Sequence, residues 1–299
     1  MLKGKAEMDN HKHSKLPPLK IIYAITEVIC VLVFVMFSGW GLRAIKGVIN
    51  LRTLQIEIFG EPIIVKAVFF ILLPLIIIKL KGEKPGEYGI IFDNFSYHLK
   101  IGLKSLAIVI LADLAFPLVT TLGLSYKDFG GALILSFSNI VALVLVALFL
   151  RKSPTCQERA ASTHRILIFF LVFIAFTILS ALTLPLGKQV GGFTYALFTT
   201  GFGEEILFRG YVQSRLNRAL GRPFLFYGVR WGFGVIVTAI LFGSMHFFHG
   251  TGTLWWGLWT IFGGLVLGFL REKTGSVVAP GIAHGVPQAI VYVFVGGIN

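Results

Sequence analysis

Long apolar stretches recur along the whole chain and are separated by short polar segments. A membrane-spanning helix needs about 20 mainly apolar residues, and stretches of this kind predict helices at nine places. The predicted spans cover residues 20–42, 62–79, 101–124, 131–150, 165–186, 189–212, 230–248, 253–270 and 276–296. The pattern therefore predicts an all-α fold, a polytopic transmembrane helical bundle of eight or nine spans.

The composition also indicates a membrane protein. Hydrophobic residues make up 56% of the chain and charged residues only 14%, against roughly 25% charged residues in an ordinary soluble domain. We therefore expect the lipid bilayer to be the main surroundings of this protein. The first apolar stretch is longer than the core of a signal peptide and lacks a small-residue cleavage pattern, so it predicts an uncleaved helix.

The formal net charge of +13 comes from short clusters of Lys and Arg that lie between the apolar stretches. This distribution argues against nucleic-acid binding and fits membrane topology instead. With nine spans, the positive-inside rule places the N-terminus in the cytoplasm and the C-terminus outside, and we expect a bacterial inner membrane. Lys66 and Lys104 each lie near the end of a predicted helix, so we expect both side chains to extend to the membrane interface.

A basic polar loop at residues 151–165 separates two regions of different character. The N-terminal region, residues 1–155 with about four spans, has few polar groups inside its apolar stretches. The C-terminal region, residues 156–299, has many, and we expect the chemistry there. The two cysteines, Cys30 and Cys156, are too few and too far apart to form a disulfide framework.

The richest polar cluster is the sequence GFGEEILFRG in the sixth predicted span, which contains Glu204, Glu205 and Arg209. Charged residues inside a span cost on the order of 2.5–3.5 kcal/mol each, so a cluster of them requires a reason. Glu205 and Arg209 are four residues apart, in the order that favours an ion pair. Glu204 points about 100° away and lacks that partner, which makes it a candidate general base toward water. A helix-end salt bridge is the simpler alternative.

Two further motifs place histidines in later spans. In LFGSMHFFH, Phe242 and His246 share one helix face, and His249 follows at the expected helix end. A single histidine among aromatic residues is more often an interfacial residue than a catalyst, and this applies to His249 above all. His246 is the stronger candidate because other polar motifs accompany it.

In the ninth predicted span, His284 and Gln288 are one helical turn apart and are flanked by Pro280 and Pro287. Proline removes a backbone hydrogen bond, which hydrocarbon tolerates only where protein or a cavity satisfies the freed group. A histidine and a glutamine that project into such a cavity are suited to donate hydrogen bonds to a developing oxyanion.

With these three motifs in order, residues 165–299 resemble the CAAX-protease and bacteriocin-processing family of intramembrane proteases, also called ABI, which includes the type II CAAX prenyl endopeptidases. The family pattern is EExxxR, then FxxxH, then HxxxN or a related ending. The matching residues are Glu204, Glu205, Arg209, Phe242, His246, His284 and, in place of the usual asparagine, Gln288. The Gln288 side chain is longer than asparagine by one methylene, which moves its amide by about one C–C bond length.

The resemblance implies a peptidase, with a membrane-associated protein or peptide as its substrate. In such an enzyme Glu204 and His246 would activate a water molecule, Glu205 and Arg209 would brace the site, and His284 with Gln288 would stabilise the oxyanion. The reaction would use either no cofactor or zinc, in which case Glu204, His246 and His284 would be the metal ligands. We favour the mechanism without a metal.

Other classes of membrane protein stay open. The HExxH signature of helical zinc proteases is absent. The main rival from another class is a transporter or channel, because Glu27 and Asp113 lie inside predicted spans and such acids can form an ion relay. A third possibility is a scaffold or immunity protein that keeps the motifs without catalysis. Glu27 and Asp113 could also simply make buried hydrogen bonds to neighbouring helices.

Overall fold

Helices account for almost all of the chain that the structure describes. The structure is a computed structural model, and it describes residues 18–44, 51–155, 162–182, 187–248 and 252–295. The helices are α1 (Pro18–Ala44), α2 (Leu51–Phe59), α3 (Ile63–Leu80), α4 (Phe95–Thr121), α5 (Phe129–Leu150), α6 (Thr163–Leu182), α7 (187–220), α8 (Phe233–Ser244), α9 (Thr253–Thr274) and α10 (Val278–Val295). The all-α bundle that the apolar pattern predicts is therefore confirmed.

Each of the nine predicted spans falls on one of these helices. Among the described residues, six helices are long and apolar enough to cross a membrane, namely α1, α3, α4, α5, α6 and α9. Helices α8 and α10 are apolar but shorter. The short helix α2 was not predicted, because its nine residues mix polar and apolar positions and are too few to span a membrane.

The seventh span is shorter than predicted, because residues 230 and 231 lie in a strand and not in a helix. Strands β1 (Phe224–Phe226) and β2 (Val229–Trp231) form an antiparallel hairpin. Tyr227 and Gly228 connect them, and both have positive φ angles, of 46° and 78°, as a tight hairpin turn requires. Helix α8 starts after this hairpin and ends in a 3₁₀ turn at Met245–Phe248.

Helix α7 lies at the centre of the molecule. Its aromatic residues Phe198, Phe202, Phe208 and Tyr211 are buried in the main hydrophobic core. The helix is continuous, but it widens into π-helical turns at Tyr195–Gly203 and Ile206–Val212. Such turns are often found at functional sites, and here they lie on both sides of Glu204 and Glu205.

The helices of the N-terminal region pack directly on those of the C-terminal region. Helix α5 lies against α9, helix α4 lies against α10, and α3 contacts α7. On the α4–α10 contact, a Cβ atom on Gly102 would lie only 3.1 Å from Ile282, so the two helices approach closely there. The polar side chains of α7 and α10 consequently lie within reach of helices from the first half of the chain.

Candidate active site

Glu205 and Arg209 form a fully buried ion pair on α7. The Nη1 atom of Arg209 lies 2.9 Å from Oε1 of Glu205, and both side chains are completely inaccessible to solvent. The guanidinium group also donates to the backbone carbonyl of Gly264 on α9 at 3.3 Å and stacks over the ring of Phe242 at 4.3 Å. The contact that the i, i+4 spacing predicts is thus present, and it ties α7 to α8 and α9.

His284 of α10 lies between the two glutamates. Its Nδ1 atom is 3.0 Å from Oε1 of Glu205, and its Nε2 atom is 3.9 Å from Oε2 of Glu204. A carboxylate accepts hydrogen bonds, so we assign the Nδ1 proton to the bond with Glu205. Nε2 of the imidazole is therefore the nitrogen that faces Glu204.

Glu204 has a cationic partner that sequence analysis missed. The Nζ atom of Lys66 on α3 lies 2.8 Å from Oε1 of Glu204, a partner that the helical spacing around Glu204 does not indicate. The prediction that Lys66 extends to the membrane interface is wrong, because a carboxylate on the neighbouring helix pairs with its charge inside the bundle. Lys66 stands inside an apolar stretch, and that position was the one signal in the sequence that could have identified it.

The ring of Phe242 contacts the rings of both His246 and His284. The Phe242 ring lies 5.5 Å from the ring of His246 and 5.9 Å from the ring of His284, edge to face in both pairs. His246 interacts electrostatically with Glu204, and its Nδ1 atom lies 3.1 Å from the backbone carbonyl of Phe242. His249 lies outside the described residues.

Among the site residues predicted from the sequence, Gln288 lies apart from the others. It lies one turn beyond His284 on α10 and is partly exposed, and no hydrogen bond of the described residues joins it to Glu204 or Glu205. Helix α10 continues through Pro287 without a break. Proline still lacks its N–H, so the carbonyl of Ala283, next to His284, loses its usual helical partner.

The predicted zinc ligands do not form a metal centre in this structure. Among the described residues, no group of three His, Cys, Asp or Glu side chains has the spacing to hold a metal ion. Glu204 is already paired with Lys66, and His284 directs Nδ1 to Glu205. The donor set of Glu204, His246 and His284 therefore does not fit zinc as arranged here.

Two glycines allow α7 and α10 to approach closely enough for these contacts. A Cβ atom on Gly201 would lie 2.5 Å from the Cα atom of Gly285, and one on Gly285 would lie 3.0 Å from the backbone of Leu197. Gly201 lies one turn before Glu204 and Glu205, and Gly285 follows His284. The contact between backbones at this point brings the histidine to the acid pair.

Comparison with known proteins supports the resemblance seen in the motifs. Residues 186–290 match the family model described as type II CAAX prenyl endopeptidase Rce1-like. These residues, about a third of the chain, are similar to that family, and we name them the CAAX-protease segment. Together with the long apolar helices, the assignment makes the chain an integral, multi-pass membrane protein. No curated protein and no solved structure matches the chain.

The CAAX-protease segment contains the six residues singled out by sequence analysis, but not Lys66. Helix α3, which provides Lys66, lies about 100 residues before the matched segment. The site in this structure is consequently built by both regions of the chain.

Glu27 and Asp113, the two acidic residues inside predicted spans of the N-terminal region, have different surroundings. The carboxylate of Glu27 accepts hydrogen bonds from Lys81 at 2.7 Å, from Tyr211 at 2.6 Å and from Arg215 at 2.7 Å, so it joins α1 to α3 and α7. Asp113 interacts electrostatically with His284 of the CAAX-protease segment. Cys30 is exposed and free, and Cys156 lies outside the described residues.

Proposed function

We propose that the chain is an intramembrane endopeptidase that hydrolyses a peptide bond of a membrane-associated protein or peptide with water activated by Glu204. One observation carries this proposal. Oε2 of Glu204 and Nε2 of His284 are 3.9 Å apart, which is too far for a direct hydrogen bond. A single water molecule can contact both atoms at about 2.8 Å, and it would then lie between a base and a histidine inside the membrane.

In the proposed reaction, Glu204 takes a proton from this water as its oxygen attacks the carbonyl carbon of the substrate. The C–N bond then breaks, and the leaving amine receives the proton from Glu204. The developing oxyanion needs donors. When both of its nitrogens are protonated, His284 can donate from Nε2, with Glu205 as the counter-charge beside Nδ1.

His246 and Gln288 have supporting roles in this proposal. His246 interacts electrostatically with Glu204 and is assigned to the handling of water. Gln288 follows His284 by one turn on α10, where a rotation of its side chain would bring the amide toward the oxyanion. Its additional methylene, compared with the asparagine of the family pattern, shifts this amide by about one C–C bond.

The proposed topology places the N-terminus in the cytoplasm and the C-terminus outside, in a bacterial inner membrane. Basic residues concentrate in alternate loops, which supports this orientation. In a bacterial host, an unprenylated peptide or a membrane-anchored tail is a more natural substrate than a prenylated one. No nucleic acid is expected as a partner.

The proposal is tested with purified protein in detergent and a panel of prenylated and unprenylated peptides and membrane-anchored tails. We expect turnover by the wild type and a loss of at least about 10²-fold in Glu204→Gln and in His284→Ala. Glu87→Gln is the matched control, because Glu87 lies in the short 3₁₀ turn Pro85–Tyr88 and is paired with Arg218. Equal turnover by the wild type and by both site variants would refute the assignment.

The same assay separates the two mechanisms and the rival functions. We expect turnover to persist after dialysis against a metal chelator, whereas a chelator-sensitive rate that zinc restores would favour the zinc mechanism. Ion flux into liposomes that Asp113→Asn abolishes, without any proteolysis, would select the transporter. A wild type that shows neither activity would leave a scaffold or immunity protein.

A further inference from the structure

The ammonium group of Lys66 makes a complete set of polar contacts inside the bundle. Its Nζ atom lies 2.8 Å from Oε1 of Glu204, 2.8 Å from Oγ1 of Thr200 and 3.4 Å from the hydroxyl group of Tyr195. The ammonium also lies 4.6 Å from the centre of the Tyr195 ring and 5.6 Å from that of Phe70. A lysine has three donors, and all three are used.

A lysine at this position would lose less hydration free energy if its ammonium group lay at the membrane interface. Lys66 is three residues after the start of α3, so its long side chain could reach the membrane interface, where the charge is hydrated. Burying the charge instead requires a carboxylate and further hydrogen bonds to offset the desolvation. Thr200 and Tyr195 provide those bonds, and both belong to the π-helical turns just before Glu204. The helix that carries Glu204 therefore also provides the other polar partners of the ammonium group.

Lys66 holds one oxygen of the carboxylate, and the other oxygen faces the histidine. Oε1 of Glu204 is bound to Lys66 at 2.8 Å, while Oε2 is 3.9 Å from Nε2 of His284. Without the ammonium, the carboxylate could rotate and pair directly with a protonated His284. That direct pair would close the gap in which the water molecule is proposed to bind.

We infer that Lys66 is a positioning residue of the active site, which fixes the carboxylate of Glu204 at the distance from His284 that a water molecule needs. The inference rests on the proposed function, and it extends the site beyond residues 186–290 that match the CAAX-protease model. Lys66 touches Glu204 and not the reacting atoms, so its effect is on the rate of the chemical step and not on substrate binding.

The first test compares Lys66→Met, Lys66→Arg and Lys104→Met in the peptide assay. Lys104 is the matched control, because it also lies in an apolar helix but sits over the ring of Phe149 at 5.7 Å, away from Glu204. We expect kcat to fall roughly 10²-fold in Lys66→Met with KM within about twofold of the wild type. Lys66→Arg keeps the charge and should recover part of kcat, and Lys104→Met should retain the wild-type rate. An active wild type and an equally active Lys66→Met would overturn the inference while the proposed function stands.

The second test needs no activity. Thermal unfolding in detergent is measured for Lys66→Met, Glu204→Gln and the double variant. Removing one member of an ion pair inside the bundle leaves the other charge without its partner, so each single variant should melt at a lower temperature, and the double variant should melt above at least one of them. If the losses in melting temperature of the two single variants simply add in the double variant, the two side chains do not stabilise each other. That result would overturn the inference whether or not a substrate is found. A wild type inactive on the whole panel would refute the proposed function, and with it the effect on kcat, while this cycle still decides whether the pair exists.

Discussion

The Nδ1 atom of His284 lies 3.0 Å from the same Glu205 oxygen that Arg209 contacts at 2.9 Å. One carboxylate oxygen thus receives a hydrogen bond from a histidine and one from an arginine that belongs to its own helix. Because all of the Arg209 side chain is buried, this oxygen sets both the charge balance of the core and the orientation of the histidine ring. The ring orientation in turn directs Nε2 toward Glu204.

Glu205→Gln should therefore weaken both stability and catalysis. The amide keeps an acceptor oxygen, but it leaves Arg209 buried without a counter-charge, which typically costs about 3–5 kcal/mol. The amide can also rotate and present its NH₂ group to the histidine, so the ring loses its fixed orientation. We expect a lower melting temperature in detergent and a kcat reduced roughly 10²-fold.

The double variant Glu205→Gln, Arg209→Met provides the control for this prediction. It removes the orphaned charge together with its partner, so part of the thermal stability should return while kcat stays low. A double variant that melts below both single variants would contradict the view that these two charges compensate each other.

Gly201→Ala should separate α7 from α10. The new Cβ atom would lie 2.5 Å from the Cα atom of Gly285, and backbone atoms cannot move aside as a flexible side chain can. Overpacking of this kind costs about 1–3 kcal/mol, and the shift should lengthen the contact between His284 and Glu205. Melting temperature and kcat should both fall. Gly263→Ala is the matched control, because its Cβ atom would meet only Asn139 at 3.4 Å, and an equal effect of the two substitutions would refute the close-approach argument.

Some of this site can be predicted from the sequence because its contacts are local. The pairing of Glu205 with Arg209 follows from four residues of helical spacing, and the helices follow from apolar stretches of the right length. The partner of Glu204 is different, because Lys66 is 138 positions away on another helix. Near a helix end, a lysine that extends to the interface and one that turns inward have the same sequence pattern. Only the packing of α3 against α7 decides between them.

The hairpin at Phe224–Phe226 and Val229–Trp231 shows a second limit of the sequence pattern. Hydrophobicity alone starts the seventh span at residue 230, so it places Arg230 and Trp231 of the second strand in the helix. The turn at Tyr227 and Gly228, with its two positive φ angles, pairs these residues with the first strand instead. Tyr227 gives little warning of this, because residues with large side chains seldom take such angles.

Glu27→Gln should reduce stability without changing kcat. The carboxylate receives bonds from Lys81, Tyr211 and Arg215, which join α1 and α3 to the end of α7. An amide cannot balance the two positive charges, and we expect the melting temperature to fall by a few degrees. Glu57→Gln, on the short helix α2, serves as the control. A fall in kcat as large as that of Glu204→Gln, at unchanged stability, would contradict this structural role.

The two carboxamide substitutions of His246 should separate the roles of its nitrogens. The carbonyl of Phe242 can only accept, so the 3.1 Å contact assigns the proton of neutral His246 to Nδ1, and Nε2 is then the nitrogen that can accept a hydrogen bond. An asparagine amide can replace the bond that Nδ1 makes, whereas a glutamine amide reaches the position of Nε2.

If Nε2 only forms a hydrogen bond to water, His246→Gln should retain more activity than His246→Asn. If the ring transfers a proton, both variants should lose about 10²–10⁴-fold in kcat. Steady-state kinetics of the two variants, with melting temperatures to confirm folding, distinguish these outcomes, and a fully active His246→Asn would remove His246 from the site.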